Sequence, residues 1–217
     1  MPIGTIILIV VAILVYFGLA QRVLDRMRMT DRAALGVIAL LIAGSFVNFR
    51  LLAPPAELMV NVGGALVPLG VAIWLIVTAD EAMEKVRGSL AAVITGVAVY
   101  GAIKILNPEE QTMFIDPVFA FAIIAGIVGY LAGRSRRSAF IAGITGVILG
   151  DIFHYIELTV RRLPGRTWLG GAGAFDSVVI AGLLAVLLAE LVGETRERLA
   201  QGNRTGPDRE DERGEAT

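Results

Sequence analysis

Long apolar blocks recur along this 217-residue chain, at roughly 2–20, 33–49, 58–78, 89–106, 117–133, 138–158 and 174–193. Such blocks limit the fold more than any other feature. Residues apolar on every face bury well only in lipid or deep inside a large protein. About 20 residues of helix are needed to cross ~30 Å of hydrocarbon. Lipid leaves no backbone group unpaired, so the spans are expected as helices, and they lack the alternation of a barrel. The expectation is an all-α polytopic transmembrane bundle of about seven helices. The second and fifth blocks are short, which keeps open six crossings and one re-entrant segment.

Composition agrees. Apolar residues make up 56% and charged residues 18%, where a soluble domain carries nearer a quarter charged. The net charge of −1 gives no reason to expect a nucleic-acid partner. Cysteine is absent, which excludes disulfides, thiolate catalysis and zinc–thiolate sites. No motif implies a cofactor. The N-terminal block has no basic leader and no small-residue cleavage site, so it reads as an uncleaved first span.

The basic residues orient the chain. Arg22, Arg26, Arg28, Arg32, Lys85, Arg87, Arg134, Arg136 and Arg137 fall on one side of a seven-span threading, with the arginines of the tail. The other side holds only Arg50, Arg161, Arg162 and Arg166. The positive-inside rule then places the N-terminus outside and the C-terminus in the cytoplasm. Residues 1–193 form the membrane domain. Residues 194–217, rich in charge, read as a disordered cytoplasmic tail.

Two glycine series, Gly126-Gly129-Gly133 and Gly143-Gly146-Gly150, each make a smooth helix face. Joined by the short Arg134–Arg137 turn, they predict a tight antiparallel hairpin.

Polar side chains inside the spans need a reason, since lipid makes each costly. On the seven-span threading they gather in the outer half: Asn48, Asn61, Lys104, Asp116, Asp151, His154 and Asp176. Asp151, roughly 10 Å deep at 1.5 Å per residue, follows an apolar glycine-flanked run. His154 is three residues on, placed to share a proton or a metal with it. Asn61 precedes Gly63-Gly64 and Pro68, which permit a helix break beside a cavity. Asp176 and Asp116 also suit simple helix capping, Lys104 suits snorkelling, and Gly170-Gly171-Ala172-Gly173 suits either an anion-binding nest or a turn.

Three stretches carry a resemblance: Asn61-Val62-Gly63-Gly64-Ala65-Leu66-Val67-Pro68, Gly150-Asp151, and Gly170-Gly171-Ala172-Gly173-Ala174-Phe175-Asp176 leading into Ala181–Ala189. Together they resemble the prokaryotic multi-pass membrane family catalogued as domain of unknown function 1614. The resemblance implies an integral membrane protein and no particular activity. Gly150-Asp151 also resembles the aspartate motif of intramembrane aspartyl proteases. However, the first glycine of that Gly-x-Gly-Asp motif is missing, Ile148 standing in its place, the Tyr-Asp pair is missing, and the Pro-Ala-Leu element appears only as Val67-Pro68-Leu69.

Three functions follow as expectations. One is binding or transport of a small molecule or ion at Asn61, Asp151, His154 and Asp176. Another is proteolysis by an Asp151–Asp176 dyad. The third is a structural role in which polar groups pin helices. The expected partners are the lipid bilayer, the small molecule or ion, and, left open, a second copy of the chain.

Overall fold

The structure, a computed structural model, describes residues 29–106 and 116–204. The expected first span, 2–20, lies outside them. Among the described residues the chain is mostly helical, with six α-helices and one small sheet: α1 (Asp31–Gly44), β1 (Asn48–Leu52), β2 (Ala56–Asn61), α2 (Val67–Val77), α3 (Ala82–Leu106), α4 (Pro117–Gly133), α5 (Arg136–Val160), β3 (Gly165–Leu169) and α6 (Ser177–Arg204). A π-helical turn, Val62–Leu66, leads into α2, and a 3-10 turn, Gly173–Phe175, precedes α6.

Local chemistry sets the helix ends. Asp116 caps α4, its carboxylate accepting from the Val118 amide at 2.9 Å, with Pro117 at the first helical position. That is the capping arrangement expected from the sequence. Arg134 ends α4 in the left-handed region (φ 58°), and Ser135 caps α5 by accepting from the Ser138 amide at 3.1 Å. The chain therefore reverses in two residues, and α4 and α5 pack antiparallel.

The glycines make that packing close, although not on a single shared face. A Cβ at Gly129 would sit 2.9 Å from the Gly143 amide nitrogen, and one at Gly133 would sit 2.6 Å from that of Ala139. Gly126 instead faces Leu184 of α6, and Gly143 also faces Ala181. Gly146 and Gly150 face Thr95 and Val99 of α3. Thus α5 is the central helix, against which α3 runs parallel and α4 and α6 complete the bundle.

Two predicted spans take a different form. The block at 33–49 is helical only to Gly44, and the block at 58–78 starts as strand β2 and becomes α-helix only at Val67. The fold is therefore not purely helical. The physical reason lies in Asn48 and Asn61. Their side chains bond each other, and their backbones pair as directly opposed residues of the antiparallel β1–β2 ladder. β3 adds in parallel beside β2, Ala56 opposite Gly165 and Val60 opposite Leu169. One face of this sheet (Leu58, Val60, Leu169) is buried against Ile152 and Tyr155 of α5. All of β1 is exposed.

The bundle thus has two distinct ends. The sheet, the 170–176 loop and the Val160 end of α5 form one. The Arg134–Ser135 turn, the start of α3 and the Val77 end of α2 form the other. α3 and α5, at 25 residues each, are long and apolar enough to cross a membrane. α6 continues through Glu194 to Arg204 without a break.

Candidate functional site

At the sheet end, three backbone breaks meet. Asn61 is almost fully buried (1% exposed) and spends its amide inside the protein. Its Nδ2 donates to the Ser45 carbonyl at 2.9 Å and to Asn48 Oδ1 at 2.8 Å, and its Oδ1 accepts from the Gly64 amide at 2.7 Å. Asn61 thereby ties the end of α1, the start of β1 and the π-helical turn together. Ser45, which the sequence did not single out, adds a fourth strand of the knot. Its Oγ donates to the Leu41 carbonyl at 2.6 Å and accepts from the Ala174 amide at 2.7 Å.

Glycine makes the knot sterically feasible. A Cβ on Gly64 would lie 2.1 Å from the Gly170 carbonyl oxygen, and one on Gly63 would lie 2.2 Å from the Leu41 carbonyl oxygen. Gly170 and Gly173 both have positive φ, 70° and 65°, a conformation that costs other residues roughly 1–2 kcal/mol. Gly64 and the Gly170–Gly173 turn, far apart in sequence, thus lie backbone to backbone, while Gly63 lies against the end of α1.

Asp176 closes the knot through its carboxylate. Its Oδ2 accepts from the Ala172 amide at 3.0 Å, and its Oδ1 accepts from the Val178 amide at 3.0 Å and the Ser177 hydroxyl at 3.1 Å. The Gly170–Gly173 run is no free anion nest. The Ala172 amide goes to Asp176, the Gly173 amide to the Gly170 carbonyl and the Ala174 amide to Ser45.

Asp151 is placed differently. It projects from α5, half-buried, close enough to Asp176 for the two charges to act on each other. Among the described residues nothing hydrogen-bonds to it. The buried residues of α5 all lie between Arg137 and Gly150, so Asp151 stands where the helix emerges from the core. His154 is one turn further along and also half-buried.

The remaining candidates stand apart from this pair. Asp116 is an exposed cap. Lys104 does not simply reach outward: it pairs with Glu157, which is 10% exposed, accepts from the Tyr100 hydroxyl at 2.8 Å and pairs with Arg161 at 3.1 Å. Lys104 also lies 5.7 Å from the centre of the Tyr100 ring, within cation–π range. The sequence did not single out Glu157 as a hub. Its signal was its spacing four residues before Arg161 on one helix face.

A second polar cluster, not anticipated, lies at the opposite end. Arg137 (side chain 8% exposed) bridges to Glu84 at 3.5 Å through Nη1 and donates to Thr78 Oγ1 at 3.2 Å through Nη2. Arg136 pairs with Glu190 of α6. Among the described residues no group of three or more His, Cys, Asp or Glu side chains converges as a metal site.

No curated protein and no solved structure matches this chain. One family profile does, over residues 23–188, which takes in α1 to α5, the sheet and most of the apolar part of α6. The three stretches quoted above lie inside that match up to Leu188, two of them building the glycine knot and the other carrying Asp151, and the chain belongs to the family described as "Protein of unknown function (DUF1614)".

Proposed function

We propose that this is a polytopic membrane protein of the prokaryotic plasma membrane that binds, and moves across the bilayer, a small cation or proton at Asp151. In this reading the first span and α1 to α6 give seven crossings, with the N-terminus and the sheet end outside and the C-terminus in the cytoplasm.

Three observations support the membrane placement. α3 leaves Val86, Leu90, Val93, Ile94, Val97 and Ile105 exposed. Held in water, each would forgo a share of the ~1.5–3 kcal/mol that full burial of such a side chain brings, about half of it at the exposures seen. α4 likewise exposes Phe119, Ile123, Ile127 and Leu131, a continuous stripe at helical spacing rather than scattered residues. The irregular backbone at 61–66 and 170–176 is bonded inside the protein, with Asn61, Gly63, Gly64, Ala65, Gly170, Gly173 and Ala174 buried, and irregular backbone packed in protein is tolerated at membrane depth.

The observation that carries the function is the contrast between the two aspartates. Asp176 has both oxygens engaged by main-chain amides, which fits a scaffold. Asp151 offers a half-buried carboxylate with no protein donor among the described residues, at the point where α5 leaves the buried core. A cation or a proton is what such a carboxylate recruits. The protease reading gains less, because a dyad needs two carboxylates sharing a proton within hydrogen-bond reach, and Asp176 is committed elsewhere. For Asn61 and Asp176 the bonding favours the structural role.

The test is flux into proteoliposomes, with a trapped pH dye for protons and radioactive sodium for a monovalent cation. Asp151→Asn is expected to lose at least tenfold of the parent flux while keeping the parent melting temperature within a few degrees. Equal flux from parent and variant would remove the proposal.

A further inference from the structure

The two ends of α5 differ in a way that the site at Asp151 does not use. From Arg137 to Gly150 the helix is largely buried, and beyond Gly150 none of its residues is. The sheet end around Asp151 is therefore partly open. At the opposite end α5 is buried as far as Arg137, and ion pairs tie the helices together there. Arg137 reaches Glu84 on α3 and Thr78 at the end of α2, and Arg136 reaches Glu190 on α6. Two neighbouring residues of one helix thus hold three other helices. Ser138, beneath them, is completely buried, and its hydroxyl donates to the Glu84 carbonyl at 3.5 Å.

A purely structural tie needs no charge here. Removing two charges from water carries a desolvation cost that their attraction often only offsets, and apolar pairs of similar volume commonly pack as well or better. What ion pairs add is the ability to separate into water and re-form, since each charge is well solvated once apart. Glu84, Arg136 and Glu190 keep about a fifth of their side chains exposed, so water is at hand for the separated state.

We propose that Arg137–Glu84 and Arg136–Glu190 form a cytoplasmic gate, shut in this structure, that opens in an alternate state to release what Asp151 has bound. The inference rests on the transport reading given above. Opening moves the inner ends of α3 and α6 away from α5. The close contacts Gly146–Thr95 and Gly150–Val99 lie nearer the pivot.

Because the chain has no cysteine, Ser138→Cys supplies a single reporter thiol behind the gate. Inverted membrane vesicles exposed to a membrane-impermeant maleimide should label it slowly. Adding Glu84→Gln should raise the rate about tenfold or more, and so should adding Glu190→Gln, with melting temperature showing that each variant is folded. Parent-like labelling in both folded variants overturns the gate. A second measurement does not depend on neutral variants folding. Glu84→Cys with Arg137→Cys, joined by a short thiol cross-linker, should stop flux while sodium or proton binding at Asp151 persists. Undiminished flux in the cross-linked protein overturns the gate. A parent protein with no flux at all would remove the transport reading instead, and labelling of Ser138→Cys would still report whether the inner end opens.

Discussion

At the scale of single residues, two side chains of one chemical type sit in contrasting settings, Asp176 with three donors and Asp151 with none among the described residues. Asp176→Ala removes an acceptor from three donors, two of them main-chain amides. It should cost about 2–3 kcal/mol, read as a lowered thermal transition in detergent. Asp151→Asn should change that transition little, because no protein donor among the described residues depends on it. Asn61→Ala should cost about as much as Asp176→Ala, leaving the Gly64 amide and the Ser45 carbonyl without their partner in a buried setting. The sequence exposed Asn61, Asp151 and Asp176 as polar groups in apolar blocks but could not assign their tasks. Whether a carboxylate is capped or free depends on which amides fold back upon it, and the Ala172 amide reaches Asp176 only through the positive-φ turn at Gly170 and Gly173.

At the scale of elements, glycine decides where helices touch. Gly146→Ala would bring a Cβ within 2.4 Å of the Thr95 side chain. It should destabilise the α3–α5 contact by about 1–3 kcal/mol. Gly101→Ala on α3 meets nothing within 4 Å and should stabilise by about 0.5–1 kcal/mol, from helix propensity alone. Thermal transitions of the two variants, measured side by side, check both signs. Hydropathy marked out α3 to α6 well, and α4 at its full extent, because a two-residue turn and a proline cap leave sharp local signals. It misread the blocks at 33–49 and 58–78. An apolar run long enough for a span is also long enough for a strand, a turn and a short helix. What separates these is a tertiary pairing, the β1–β2 ladder with β3 beside it, which hydropathy does not encode. The ion pairs of Arg136 and Arg137 were hidden for a similar reason. Arginines in a short turn read as topology markers, and their partners Glu84 and Glu190 lie on distant helices.

At the scale of the whole molecule, a bundle built around α5 carries a bonded, glycine-packed sheet end and an ion-paired end opposite. The apolar outer faces of α3 and α4 fit lipid, and the charge bias of the loops fits a sheet end turned outward. That orientation decides whether Asp151 is reached from outside and whether the Arg137 cluster faces the cytoplasm. It is tested most directly by single cysteines placed at two exposed residues, Arg50 on β1 and Arg87 near the start of α3, in a chain that otherwise has none. Intact cells are treated with a membrane-impermeant maleimide. The account predicts that Arg50→Cys labels at once and that Arg87→Cys labels only after the membrane is permeabilised. Labelling of both in intact cells, or the reverse order, would contradict it.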